Sequence, residues 1–90
     1  MYTEEARVTK SNIEMLRRPD VEKRSGKSRS TIYADGQDGL WPPPVRIGGR
    51  AVAWPANEVD AVLAARIEGR SDGEIRELVR RLVAARRAAT

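Results

Sequence analysis

Apolar residues are spaced most regularly near the carboxyl end of the chain. Ile75 is followed at three, four, seven and eight residues by four more: Leu78, Val79, Leu82 and Val83. This spacing has the period of an α-helix and predicts an amphipathic helix with one apolar stripe. Ser71 and Glu74 precede the stripe at the spacing of a capping box, which predicts where the helix begins.

A shorter amphipathic helix is predicted just before this one. It begins near Pro55 and ends at Gly69, and its apolar face is formed by residues spaced three to five apart: Val59, Val62, Leu63 and Ile67.

Two further short helices are predicted in the first half of the chain. Pro19 suits the first turn of one helix, and Gly26 can adopt the left-handed conformation that ends it. Ser28 is a good N-cap for the second helix, and the glycines Gly36 and Gly39 are expected to break it. Helix, short glycine turn, helix is the helix-turn-helix arrangement.

A β-hairpin is predicted after the second helix. Three prolines at 42–44 form a rigid extended connector, and Gly48 and Gly49 provide the positive φ angles of a tight turn between two short alternating segments. Alternation directs four residues toward the core: Val45, Ile47, Val52 and Trp54. It leaves Arg46 and Arg50 on the other face, where they form either a DNA-contacting wing or a charged edge that blocks aggregation.

Together these elements predict an α+β, mostly helical fold. We expect a winged helix-turn-helix with a two-stranded β-hairpin wing and an extra C-terminal amphipathic helix. The expected organisation is a flexible N-terminal tail over residues 1–12, a DNA-binding domain over 13–68, and a helix over 69–90 that either packs on this domain or mediates oligomerisation. In the second case the apolar stripe forms the dimer contact.

Composition excludes most enzyme classes. The 90 residues contain no cysteine and no histidine, so a disulfide scaffold, a thiolate zinc site and the usual general base at neutral pH are all missing. We therefore expect no catalytic activity, no cofactor, no metal and no small-molecule ligand. No long apolar run and no signal-peptide pattern are present, which favours a cytoplasmic protein without a membrane partner.

The positive charge is concentrated around the helix-turn-helix. The net charge is +4, from 17 basic and 13 acidic residues, and residues 17–50 hold most of the excess. A basic surface there indicates double-stranded DNA as the partner, although an ordinary solvated face would have the same composition. Arg29 suits a bidentate contact to guanine, and Ser30 and Thr31 suit bases or phosphates. Five other bases are expected to contact the DNA backbone: Lys23, Arg24, Lys27, Arg46 and Arg50.

Three segments of the sequence occur in a recognisable order. They are Ser28-Arg29-Ser30-Thr31-Ile32-Tyr33, Gly39-Leu40-Trp41-Pro42-Pro43-Pro44 and Arg50-Ala51-Val52-Ala53-Trp54. Over about residues 13–68 the chain resembles the AlpA-type phage and prophage regulatory proteins. The resemblance implies an excisionase-like winged helix-turn-helix that binds DNA, encoded by a bacterium or phage and associated with the nucleoid. It places Ser28 through Thr31 on the recognition helix, Tyr33 at a packing or phosphate-contacting position, Arg46 and Arg50 on the wing, and Trp54 in the core.

We therefore predict a sequence-specific, non-enzymatic transcriptional regulator. Two alternatives stay open at this point. One is a recombination directionality factor of the excisionase kind, which has the same fold and bends DNA. The other is a protein-interaction module or anti-repressor that acts through the C-terminal helix. Binding as a homodimer or as a cooperative oligomer on DNA is also left open.

Overall fold

A computed structural model describes residues 13–88, and the tail predicted over residues 1–12 lies outside them. The fold class is the predicted one, an α+β, mostly helical arrangement compatible with a winged helix-turn-helix. In chain order the elements are β1 (Met15–Leu16), α1 (Arg18–Ser25), α2 (Arg29–Gln37), β2 (Val45–Gly48), β3 (Ala51–Pro55), α3 (Ala56–Ile67) and α4 (Asp72–Ala88). No helix in this part of the chain is long and apolar enough to cross a membrane.

Local signals fix both ends of α1 and the start of α2 as the sequence predicts. Pro19 lies in the first turn of α1, and Gly26 closes the helix at φ 75° while its N–H donates to the carbonyl oxygen of Glu22 over 2.8 Å. Ser28 caps α2, because its hydroxyl oxygen accepts a hydrogen bond of 3.2 Å from the backbone N–H of Thr31. The turn between the helices is therefore short and closed.

The end of α2 differs from the prediction. The helix continues through Gly36 and ends at Gln37, and the chain turns only at Gly39, where φ is 76°. One glycine lowers helix stability by about 1 kcal/mol relative to alanine. Burial of Ile32 against the core offsets a penalty of this size.

The sheet has three strands instead of the two of a simple hairpin. β3 is central, with β1 and β2 antiparallel on either side of it. Met15 pairs with Pro55, Leu16 pairs with Trp54, and the N–H of Ala56 donates to the carbonyl oxygen of Glu14 over 2.8 Å. β1, at the start of the domain, is thereby bonded to the end of β3.

A β-bulge changes which hairpin side chains face inward. Arg46 pairs with Val52 and Gly48 pairs with Ala51, so Ile47 is an extra residue on β2. The prediction that Ile47 points at the core is wrong, and 45% of this residue is exposed. Directly paired residues lie on the same face of a sheet, so Arg46 shares the face of Val52 and does not lie opposite to it as predicted.

The core forms around two fully buried tryptophans, Trp41 of the connector and Trp54 of β3. The indole Nε1 of Trp54 donates to the carbonyl oxygen of Pro42 over 3.0 Å, which fixes the proline connector against the sheet. Aliphatic residues from every helix complete the core: Val21, Ile32, Val59, Val62, Ile75 and Val79. The placement of Trp54 in the core is confirmed.

α3 buries, wholly or in part, three of the four residues predicted for its apolar face and exposes the fourth. Val59 and Val62 are fully buried and Leu63 is partly buried, but Ile67 is 86% exposed. Five residues separate Ile67 from Val62, which turns its side chain about 140° away around the helix. Ala65 occupies the inward position instead, with 8% exposure.

α4 begins with the predicted capping box. The N–H of Glu74 donates to Ser71 Oγ over 3.2 Å, and the N–H of Ser71 donates to Glu74 Oε1 over 2.9 Å. The stripe packs on the domain, because Ile75 and Val79 are buried. The rest of the stripe is partly buried against the same core: Leu78, Leu82 and Val83. Ile75 and Val79 face the core of their own chain, and the alternative dimer contact through this stripe stays a prediction.

Candidate nucleic-acid interface

The first turn of α2 presents polar side chains to solvent. Arg29, Ser30 and Thr31 are exposed, whereas Ile32 is buried beneath them. Ile32 therefore anchors the helix, and the three residues before it are available to a ligand. The position matches that of recognition-helix residues that read base edges, which come from the N-terminal part of the helix.

The hydroxyl groups of this turn have different roles. Ser28 caps the helix, and its hydroxyl also donates to Thr31 Oγ1 over 3.0 Å. Ser30 and Arg29, in contrast, make no side-chain hydrogen bond to any residue between 13 and 88. Ser28 and Thr31 stabilise the helix start, and Arg29 and Ser30 are the side chains left without an intramolecular partner.

Tyr33 joins α2 to the hairpin. Its ring meets the ring of Trp54 edge to face, with the centroids 5.9 Å apart and the planes at 68°. This arrangement is a favourable one for two aromatic rings. Tyr33 is 38% exposed, so it packs on one side and reaches solvent on the other. Arg29 precedes it by four residues and lies on the same side of α2.

Arg46 lies on the same face of the sheet as Trp54. It is paired with Val52, and Trp54 lies two residues further along β3 on the same face. Trp54 contacts Tyr33 of α2, so the exposed Arg46 shares a sheet face with the residue that meets this helix. Arg50 lies in the turn of the hairpin. Neither arginine has an ion pair or a side-chain hydrogen bond within the described chain.

Lys27 is held by the protein itself, in contrast to the predicted backbone contact. Its Nζ lies 2.7 Å from Asp35 Oδ2 and 5.3 Å from the ring centroid of Trp41. Only 21% of its side chain is exposed. A lysine with these two partners has little charge to offer a phosphate.

Arg24 has an acidic partner within the protein, whereas its neighbour Lys23 has none between residues 13 and 88. Arg24 Nη1 lies 3.1 Å from Asp60 Oδ1 of α3, so this arginine links α1 to α3. Both partners are well exposed, and solvent screens the pair. Lys23 is exposed and has no such partner between residues 13 and 88. The basic side chains without internal partners among the predicted set are therefore Lys23, Arg29, Arg46 and Arg50.

The family described as the prophage CP4-57 regulatory protein (AlpA) matches this chain. The match covers residues 14–67, which is more than half of the chain. The chain belongs to the AlpA family. The match runs from the start of β1 to the end of α3 and includes every residue of the candidate interface, whereas α4 lies outside it.

This AlpA-family chain is also similar to a phage protein. An uncharacterised protein, ORF88, of Enterobacteria phage P4 is 50% identical to it over 58 residues, which cover 64% of this chain and 66% of ORF88. No solved structure matches the chain. The family and this relative place the chain among phage regulatory proteins.

The structure adds one candidate interface residue to those predicted from the sequence. Gln37 is exposed and lies seven residues after Ser30, two turns further along the same face of α2. Its amide can both donate and accept hydrogen bonds, as adenine contacts require. The seven-residue spacing from Ser30 could have identified Gln37. It was not used because the helix was predicted to end at Gly36, one residue earlier.

The side chains of the candidate interface are polar or basic. No group of three or more acidic side chains is positioned to hold a metal ion within residues 13–88. Arg29, Ser30, Gln37, Arg46 and Arg50 supply exposed hydrogen-bond donors and cations, which suit the recognition of a polyanion.

Proposed function

We propose that this AlpA-family protein is a sequence-specific, non-enzymatic DNA-binding transcriptional regulator. One observation carries the proposal. Arg29 and Ser30 are exposed at the start of α2 with no side-chain partner between residues 13 and 88, and the exposed Arg46 lies on the sheet face of Trp54, which contacts Tyr33 of α2. A helix of this kind fits the major groove, and the neighbouring hairpin then reaches the sugar–phosphate backbone.

The proposal divides the interface into base contacts and backbone contacts. Arg29 donates two hydrogen bonds to O6 and N7 of a guanine, and Ser30 and Gln37 contact neighbouring base edges or phosphates. The exposed bases without internal partners, Lys23, Arg46 and Arg50, contact phosphates. Arg24 and Lys27 have no direct role, because acidic partners in the protein hold them.

The test is selection of bound duplexes from a pool with random cores, followed by affinity measurement at two salt concentrations. We expect an enriched motif and a steep salt dependence. Arg29→Ala should weaken binding to the selected duplex by about 1–3 kcal/mol and relax the preference at one base pair. Arg70→Ala is the matched control, since it removes the same charge from an exposed arginine that pairs with Glu68 and Glu74.

Two outcomes would contradict the proposal. Equal losses for Arg29→Ala and Arg70→Ala on selected and random duplexes would mean that Arg29 supplies charge only. Salt-sensitive binding without any enriched motif would favour an architectural role instead of a sequence-specific one.

A further inference from the structure

Two arginines of α4 reach the connector between the recognition helix and the hairpin. Arg76 Nε donates to the carbonyl oxygen of Asp38 over 2.8 Å, directly after the end of α2. Arg86 Nη2 donates to the carbonyl oxygen of Pro43 over 2.8 Å, shortly before β2 begins. α4 therefore bonds to the connector at two points, one next to α2 and one near β2.

The first attachment lies at the end of α2. Asp38 is the C-cap of this helix, so the guanidinium of Arg76 meets the end where carbonyl groups and negative dipole charge accumulate. The methylene groups of Arg76 also lie beside Gly39, where a Cβ atom would be 3.6 Å from Arg76 Cγ. Arg76 thus holds the turn by packing as well as by a hydrogen bond.

The second attachment is rigid because its arginine is itself fixed. Arg86 forms a bidentate pair with Glu58 of α3, with Nε 2.9 Å from Oε2 and Nη2 2.6 Å from Oε1. Glu58 is only 3% exposed. The carbonyl of Pro43 belongs to a stretch of three prolines that offers acceptors but no N–H donors. Arg86, held by Glu58 of α3, supplies a donor to the carbonyl of Pro43, as Trp54 Nε1 does to that of Pro42.

Buried side chains fill the space between the two attachments. Ile75 and Val79 of α4 belong to the same core cluster as Trp41 of the connector. Ten residues of helix, about 15 Å of rise, separate Arg76 from Arg86. α4 therefore follows the connector along its length and holds it by a bond near each end and by packing in between.

We infer that α4 is a brace that fixes the recognition helix and the wing relative to each other, with Arg76 and Arg86 as its positioning residues. The inference rests on the proposed function, since a fixed geometry matters only if both elements engage one DNA duplex. A preorganised pair of contacts binds more tightly than the same contacts on a mobile frame. The brace is built from the part of the chain that lies outside the family match.

The brace is tested first without DNA. The natural chain has no cysteine, so the exposed positions Ala34 of α2 and Ile47 of β2 can be changed to cysteine and spin-labelled. Pulsed electron paramagnetic resonance then gives the distribution of distances between the labels. Arg76→Gln should broaden this distribution, and Arg76→Lys, which keeps a donor, should restore part of it. Arg80→Gln is the matched control, because Arg80 is exposed and pairs with Glu77 of its own helix.

The second attachment needs a paired variant. Arg86→Gln alone leaves Glu58 buried without its cation, which could unfold the protein. The double variant Glu58→Gln/Arg86→Gln removes both charges, and it should broaden the distribution as Arg76→Gln does. An unchanged distribution in both Arg76→Gln and the double variant, with folding verified by circular dichroism, would overturn the brace.

A DNA measurement then tests what the brace does. Arg76→Gln should lower affinity for the selected duplex about tenfold and leave affinity for random duplexes and the salt dependence unchanged. Equal losses on both duplexes, or no loss despite a broadened distribution, would overturn the positioning role. If the wild-type protein selects no duplex but Arg76→Gln still broadens the distribution, the proposed function fails and the mechanical brace stands.

Discussion

Lys27 and Asp35 form an ion pair that spans the recognition helix, with Nζ 2.7 Å from Oδ2. Lys27 precedes the N-cap of α2, and Asp35 lies in its last turns. The pair therefore ties the helix-turn-helix turn to the far end of the recognition helix. Both side chains are about one-fifth exposed, so solvent screens the pair less than an ordinary surface pair.

This pairing predicts that Lys27→Met changes DNA affinity without changing its salt dependence. A lysine that contacts a phosphate contributes a slope of about 0.9 to the dependence of log affinity on log salt, whereas Lys27 already has a carboxylate partner. Lys23→Met is the matched control and should reduce the slope by about one unit, because Lys23 is exposed and has no partner between residues 13 and 88. A reduced slope in Lys27→Met would show that the ion pair opens on DNA.

Loss of Arg86 should destabilise the fold more than loss of any exposed arginine. Arg86→Met leaves the carboxylate of Glu58, which is 3% exposed, without a cation, and such a loss costs about 3–5 kcal/mol. Urea unfolding at neutral pH measures the difference. The double variant Glu58→Gln/Arg86→Met should recover much of the loss. A single variant as stable as Arg80→Met would show that water replaces the guanidinium.

Two alanine substitutions should have opposite effects on the free energy of unfolding. Gly36 lies within α2 and a Cβ there would come no closer than 4.0 Å to the carbonyl oxygen of Trp41, so Gly36→Ala should stabilise by about 0.5–1 kcal/mol. Gly26 has φ 75° with open space around it, so Gly26→Ala should destabilise by about 1–2 kcal/mol through backbone strain alone. Thermal unfolding of the two variants tests this, and effects of the same sign would contradict it.

The capping box of α4 should make stability depend on pH in the acid range. The N–H of Ser71 donates to the carboxylate of Glu74 and holds the pKa of Glu74 below its ordinary value. The folded carboxylate then binds a proton less readily than the unfolded one. The contribution of Glu74 is complete above the ordinary glutamate pKa of about 4.3 and is lost as the pH falls through the lowered value.

Glu74→Gln tests this dependence, because glutamine can still complete a capping box but does not titrate. We expect the urea midpoint of the variant to fall less steeply than that of the wild type between about pH 5 and pH 3. Glu77, whose pKa Arg80 also lowers, titrates in both proteins and provides the shared background. Identical pH profiles would show that the capping bond is not populated in solution.

The sequence predicts those parts of the fold that local chemistry determines. Pro19, Gly26, Ser28 and the Ser71–Glu74 pair act within one turn of chain, and each has its predicted role in the structure. The fold class followed because these local signals set the order of helices and hairpin. Exposure of Arg29 and Ser30 is also as expected for the start of a recognition helix.

The features that the sequence did not predict depend on distant partners. β1 has only two residues, too few for a periodic signal, and it forms because β3 offers a free edge. Ile47 faces solvent because a bulge shifts the register of β2 against β3. The sequence analysis did not predict this bulge. Lys27 contacts Asp35 and Trp41, which lie eight and fourteen residues further along the chain. Such outcomes require the position of a second element, which spacing along the chain does not give.

The pairing of β1 with β3 has a consequence for how the domain unfolds. Met15 and Pro55 are neighbours in the sheet, and both helices of the helix-turn-helix lie in the chain between them. Neither helix can detach at one end of the molecule while the sheet stays intact, because both ends of this segment are fastened. Opening the sheet also exposes Trp54 and removes the aromatic support of α2. The helices α1 and α2 and the sheet should therefore unfold together, in a single cooperative transition.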